Sequence, residues 1–209
     1  MSIRNAVLGL ALAVVAATGS DAATVTFDFT GANSGVQNSL TYSNQGVGLT
    51  VTGAVYDNSF NANITGSANV GSYAGNGIGV TAPGDNSGQI DGRGSNDMAI
   101  FSFDRAVTLE SVQFSSLANN QTEYFDFFSS DTGNPLKEVF DLIATASYSF
   151  NTPTTANNFG IGAYYSFSGY YISGLTVSYV ATVPVPLPAG GLLLVGALGA
   201  LRISRRRKV

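Results

Sequence analysis

The chain contains no cysteine, no histidine and no tryptophan among its 209 residues. Without cysteine it forms no disulfide and offers no thiolate as a nucleophile or metal ligand. Without histidine it lacks the usual general base and the commonest ligand of transition metals. These absences exclude much enzyme chemistry, and they restrict any bound metal to a hard cation held by oxygen atoms.

Basic residues are also scarce in the middle of the chain. Between residues 23 and 182 only Arg93, Arg105 and Lys137 stand against twelve carboxylates. An acidic surface of this kind argues against nucleic acid as a partner, because phosphates require a basic patch. It is compatible with divalent cations or with neutral glycans.

The N-terminus has the features of a secretory signal peptide. Arg4 supplies a positive charge, an apolar run extends from Ala6 to Ala17, and small residues surround Ala22. This pattern predicts a signal peptide over residues 1–22, cleaved after Ala22 or after Ala23. The alternative is a buried helix.

The C-terminal segment, residues 183–209, has three parts in order. A Pro-rich motif comes first, and the apolar stretch from Gly191 to Leu201 follows it. A helix over residues 189–201 would be about 20 Å long, which is shorter than the hydrocarbon core of about 30 Å. Because the flanking arginines can snorkel and the bilayer can thin, we predict that this helix spans the membrane transiently. The last part is a basic cluster, which the positive-inside rule places in the cytoplasm. The motif is Val185, Pro186, Leu187, Pro188, Ala189 and Gly190, and the cluster is Arg202, Arg205, Arg206, Arg207 and Lys208.

This order of motif, apolar stretch and arginines resembles the PEP-CTERM class of sorting signals, in the VPLPA variant of Gram-negative bacteria. The resemblance implies recognition by an exosortase-type transpeptidase after transient anchoring in the inner membrane. That enzyme cuts near the Pro-rich motif and releases or transfers the body, which then resides at the cell surface or outside the cell. An ordinary C-terminal membrane anchor is the alternative.

The body, residues 23–182, has the alternation of apolar and polar residues that is typical of strands, with Gly, Asn, Asp and Pro between them. We therefore predict an all-β, two-sheet antiparallel sandwich of jelly-roll-like form. The predicted core includes Phe27, Phe29, Phe101, Phe103, Val177 and Tyr179. The predicted strands cover 25–29, 47–56, 98–103, 107–115, 124–128, 139–144, 163–167 and 170–180.

A Gly-rich segment, residues 75–91, is the most individual part of the body. It resembles a segment common in the bodies of PEP-CTERM proteins, at Gly77, Ile78, Gly79, Val80, Asp85, Gln89, Ile90, Asp91 and the later Asp97. The carboxylates of Asp85, Asp91 and Asp97, with Asn86 and loop carbonyls, offer the oxygen ligands that Ca²⁺ prefers. We therefore hypothesise a calcium site. The alternative is that these aspartates only shape turns.

Two classes of function remain at this point. The first is an exported non-enzymatic protein of the surface or extracellular matrix, whose sandwich is adhesive or structural. The second is a carbohydrate-binding module that contacts polysaccharide or, less favoured, a glycan hydrolase. In the second class, a group of tyrosines would stack on sugar rings; the alternative is that they pack within the sheet. These tyrosines are Tyr164, Tyr165, Tyr170 and Tyr171. The absence of tryptophan favours the first class, and no catalytic residue is predicted.

Overall fold

A computed structural model describes most of the body of the chain. Residues 22–180 form one compact unit. No helix long and apolar enough to cross a membrane occurs in the part of the chain that the structure describes. The predicted signal peptide and the predicted sorting segment lie outside the described residues, except for Ala22. The described residues are 22–31, 33–57, 63–118, 121–131, 136–163 and 165–181.

Every regular element among the described residues is a β-strand, and every pairing between strands is antiparallel. The prediction of an all-β fold is therefore confirmed. The strands are β1 (Ala22–Asp28), β2 (Gly35–Gln37), β3 (Ser39–Asn44), β4 (Val47–Asp57), β5 (Asn63–Tyr73), β6 (Gly77–Thr81), β7 (Ile90–Asp91), β8 (Asn96–Ser115), β9 (Tyr124–Ser130), β10 (Lys137–Ile143), β11 (Ser147–Gly162) and β12 (Gly169–Val180).

The strands form two layers that share β8 and β11 and are also joined where Ile172 of β12 pairs with Ile78 of β6. One layer contains β6, β5, β4, the first part of β8, the last part of β11, β9 and β10, and the other contains β1, β12 and the remaining parts of β8 and β11. β8 changes layer near Asp104, where the register with β11 shifts between Ala156 and Asn158. Strands that switch layers at a bulge are a usual way to close a sandwich.

Phenylalanine rings from both layers meet in the core. Phe27 of β1 contacts Phe103 of β8, with ring centroids 5.9 Å apart, and Phe29, the residue after β1, contacts Phe101 of β8 at 6.0 Å. All four rings are at most 6% exposed, and burial of each contributes about 1.5–3 kcal/mol. The predicted sandwich and these four core positions are confirmed.

The last two predicted core residues lie at the end of β12. Val177 is fully buried. Tyr179 is only partly buried, because its hydroxyl donates to the backbone oxygen of Gln45, 3.1 Å away, and the guanidinium of Arg105 lies 5.6 Å from its ring centre. The core therefore ends at Val177 on this strand.

The prediction differs from the structure at three of its strands, and it lacks β2, β3, β5, β6, β7 and β11. Residues 98–103 and 107–115 belong to one strand, β8, because the corner between them keeps an extended backbone. The predicted strand over 163–167 is wrong: β11 ends at Gly162, and the amide of Ser168 donates to the Tyr165 oxygen in a turn. Tyr165 and Phe167 of that segment stack on each other in the turn.

β12 connects two ends of the body. Its first residue, Gly169, is paired with Asp91 of β7. Its last residue, Val180, is paired with Ala22, the first residue of β1. The two ends of the compact unit therefore leave it side by side, far along β12 from Asp91.

Candidate metal centre

The loop between β6 and β7 is folded by its own side chains. The amide of Asp85 donates to the Ala82 oxygen at 3.1 Å, and the Asp85 carboxylate accepts the amide of Ser87 at 2.8 Å. A carboxylate that accepts the amide two residues ahead closes a tight turn. This turn directs the carboxylate of Asp85 back toward the end of β7.

Two glycines allow this loop to lie directly on β6. A Cβ atom on Gly79 would come within 1.7 Å of the Gly88 oxygen, and one on Gly88 would come within 2.3 Å of the Tyr73 hydroxyl. Because backbone meets backbone there, only glycine fits at position 79. The glycine pattern of the sequence therefore serves to hold the loop against the strand.

Three carboxylates meet under this loop. Asp85 lies in the loop, Asp91 ends β7, and Asp97 is the second residue of β8. One oxygen of each lies within 4.8 Å of an oxygen of the other two. Asp91 is 6% exposed and Asp97 is fully buried, whereas the side chain of Asp85 is partly exposed. The structure thus brings together the three residues that the sequence singled out, while Asn86 is exposed. We call Asp85, Asp91 and Asp97 the Asp triad.

Hydrogen bonds offset only part of the negative charge of Asp85 and Asp91. The Ser87 hydroxyl lies within hydrogen-bond distance of both Asp85 and Asp91, but its single proton is donated to one of them at a time. The amide of Arg93 donates to the other oxygen of Asp91 at 2.8 Å. Sequence reasoning missed Ser87, since a serine in a turn-rich loop carries no distinguishing signal.

The Asp97 carboxylate accepts no such hydrogen bond from the described residues. Among the described residues, neither of its carboxylate oxygens has a hydrogen-bond partner, although both are buried. Burial, together with the charges of Asp91 and Asp85, raises the pKa of Asp97 from 3.8 to about 8. Within the described ranges, no basic side chain forms an ion pair with any member of the Asp triad; the ion pair found there joins Arg105 and Asp104.

An open cleft reaches one member of the Asp triad, Asp85. The cleft has a volume of about 640 Å³ and is lined by loop residues that include Asp85, Ser87 and Arg93. A cation can therefore reach Asp85 from solvent, and the carboxylates of Asp91 and the buried Asp97 lie beside it. Chemically, this arrangement suits a hard metal ion with oxygen ligands.

The predicted tyrosine patch is not a shared surface. Tyr170 is fully buried, and its hydroxyl donates to the Gly162 oxygen at 2.7 Å. Tyr171 packs against Tyr73, with ring centroids 5.1 Å apart. Tyr165 lies in the turn before β12, and Tyr164 lies outside the described residues. The period of the strand separates these rings, because neighbouring residues point to opposite faces.

No family model matches this chain, and no curated protein matches it. Among solved structures, the chain is similar to the family 32 carbohydrate-binding module of C. perfringens NanJ, determined in complex with galactose. The two are 12% identical, with a TM-score of 0.35, over 63% of this chain and 93% of that one. A score this low does not establish a shared fold.

Proposed function

We propose that this chain is an exported, non-enzymatic protein whose sandwich binds one calcium ion at the Asp triad. The observation that carries the proposal is Asp97, a fully buried carboxylate with two oxygens that lack hydrogen-bond partners. Leaving a buried carboxylate without a partner costs several kcal/mol, and a cation placed among the three carboxylates removes that cost.

Calcium fits these residues better than other metals do. The chain has no histidine or cysteine with which to select a transition metal. Mg²⁺ requires near-ideal octahedral geometry and retains its waters, whereas Ca²⁺ accepts irregular sets of six to eight oxygens and bidentate carboxylates. The two free oxygens of Asp97 and the loop around Asp85 suit the second type of site.

Thermal unfolding of the full chain tests the calcium site. A hundredfold excess of Ca²⁺ over Kd stabilises the native state by about 2.7 kcal/mol, so Tm in Ca²⁺ should exceed Tm in chelator by several degrees. Mg²⁺ should have a smaller effect, and Asp91→Asn should reduce the calcium effect. Asp104→Asn is the matched control, because Asp104 is an exposed carboxylate on β8. Identical melting in calcium and chelator would refute the site.

Export and sorting form the second part of the proposal. The support is the signal-peptide pattern over residues 1–22 and the motif, apolar stretch and basic cluster over residues 183–209. We propose that an exosortase-type transpeptidase processes the tail at the inner membrane and that the body then resides at the surface or in extracellular polymer. Ala22 and Val180, the residues next to the two junctions, are paired with each other and are both exposed.

Mass spectrometry of the protein recovered from the producing cells tests this second part. The mature form should begin near Ala23 and lack the basic cluster. Recovery of intact peptides that contain Arg205 to Lys208 from the mature pool would refute sorting and leave a simple anchor. This result would not affect the calcium site, which is measured separately.

Carbohydrate binding is the second candidate function. A polar cleft beside the Asp triad, with the exposed ring of Phe167 among its lining residues, favours it. Retention of the full chain on a glycan array in the presence of Ca²⁺ separates this function from a purely structural role. A structural protein would bind no glycan on such an array.

A further inference from the structure

The cleft beside the Asp triad is bounded by three segments that are distant in sequence. It has a volume of about 230 Å³. The β6–β7 loop and β7 contribute Ser87, Gln89 and Asp91, the segment before β9 contributes Gln121 and Glu123, and the turn before β12 contributes Phe167. A concave site with several convergent polar groups is the usual form of a small-ligand site.

The part of the cleft wall around Phe167 is held in place by Glu123, which is 3% exposed. Its two carboxylate oxygens accept the amide of Gly169 at 3.0 Å and the Nε2 of Gln121 at 3.2 Å. The same Nε2 donates to the Phe167 oxygen at 2.7 Å. The backbone that carries Phe167 is therefore fixed before any ligand arrives, which reduces the entropic cost of binding.

Phe167 presents an aromatic ring at this cleft. Its side chain is 47% exposed, and its ring stacks on Tyr165 with centroids 5.3 Å apart and planes 20° apart. Tyr124 contacts both rings, at 5.4 Å from Tyr165 and 6.4 Å from Phe167. An aromatic ring that is supported on one side and open on the other suits the apolar C–H face of a sugar ring. The amides, carboxylates and hydroxyls of the cleft suit its hydroxyl groups.

We propose that this cleft binds a sugar unit of an extracellular polysaccharide and that binding requires calcium. Ser87 and Asp91 line the cleft, and the Ser87 hydroxyl also lies within hydrogen-bond distance of the Asp91 carboxylate in the proposed metal site. Because the cleft and the metal site share these two residues, we expect glycan binding to require calcium. A bound ion fixes their positions, and its removal takes away the attraction that draws these groups together. The inference rests on the proposed calcium site, and it names the ligand that the site serves.

The test uses the full chain on an array of defined neutral and uronic-acid oligosaccharides, followed by affinity electrophoresis in gels that contain the retained glycan as a polysaccharide. We expect retention in Ca²⁺ and its loss in chelator. Phe167→Ala should weaken binding by about tenfold or more, the loss of one stacking contact. Ile64→Ala is the matched control, because Ile64 is 46% exposed and does not line the cleft; its affinity should stay within about twofold of wild type.

The outcomes separate the two proposals. Absence of any retained glycan, or equal binding by wild type and Phe167→Ala, overturns the cleft as a glycan site. If Ca²⁺ still raises Tm in that case, the calcium site stands alone. Glycan binding that is unchanged in chelator overturns the calcium requirement. A chain that neither melts differently in Ca²⁺ nor retains the ion in equilibrium dialysis overturns the proposed function itself.

Discussion

Replacing Asp97 with asparagine should stabilise the protein in chelator, even though Asp97 is a proposed metal ligand. Without a cation, the folded protein binds a proton at Asp97 up to a pH of about 8, whereas the unfolded chain releases it near its ordinary value of 3.8. Between these two pH values the unfolding free energy falls as pH rises, by about 1.4 kcal/mol per pH unit. At pH 7 the accumulated loss is on the order of 4 kcal/mol, and Asp97→Asn removes it.

In saturating calcium, the wild-type protein should be more stable than Asp97→Asn, which is the reverse of their order in chelator. The ion holds Asp97 in its charged form, so wild type gains binding energy that Asp97→Asn loses. Urea unfolding at pH 5 and pH 7, with Ca²⁺ or with chelator, measures all four combinations. The advantage of the variant in chelator should be larger at pH 7 than at pH 5.

The matched control for this experiment is Asp104→Asn. Asp104 lies on the same strand but is exposed and paired with Arg105, which lowers its pKa. Its replacement should leave the difference between calcium and chelator unchanged. If Asp97→Asn is less stable than wild type in chelator at pH 7, the buried charge is compensated in some other way and the reasoning is wrong.

Three further predictions concern the ion, the loop and the core. Calcium binding should displace the Asp97 proton, so the apparent Kd should fall as pH rises toward 8; a Kd that is constant between pH 5 and pH 8 in titration calorimetry would contradict this. Gly79→Ala should abolish the calcium-dependent rise in Tm because its Cβ would meet the Gly88 oxygen, whereas Gly66→Ala, with its nearest atom at 3.9 Å, should retain that rise. Phe101→Ala should lower the unfolding free energy by about 3–5 kcal/mol in urea titrations, and a loss below about 1 kcal/mol would place the ring outside the core.

The strands that the sequence predicts correctly are those with a strong apolar alternation, such as β1 and β4. β5 escaped prediction because it is built from glycine, serine and asparagine, which are typical of loops. Its backbone is extended because β4 and β6 pair with it on both sides. Pro153 cannot donate a hydrogen bond to a neighbouring strand, yet it lies within β11, where the register with β8 shifts between Ser149 and Thr154. In both cases tertiary pairing outweighs local preference.

Some features of the candidate site could also be predicted from the sequence, and others depend on the fold. Asp85 and Asp91 are close in sequence, so their proximity was predictable from turn chemistry. The isolation of Asp97 was not, because it depends on which groups the fold places around that carboxylate. The cleft was equally inaccessible to sequence reasoning, since Gln89 reaches the Gly169 oxygen across 80 residues of chain.

The path of β12 determines how the body would respond to mechanical force. From Gly169, beside Asp91, to Val180, beside Ala22, the strand covers about 35 Å. A pull between the cleft and the tail junction would run along this strand and load its hydrogen bonds to β1 and β8 together, in shear. A pull between the two termini would instead open the pairing of Ala22 with Val180 first and then one pair after another. If the chain is attached by its tail, as the proposed sorting implies, a load applied at the cleft would act in the direction in which the sheet is most resistant.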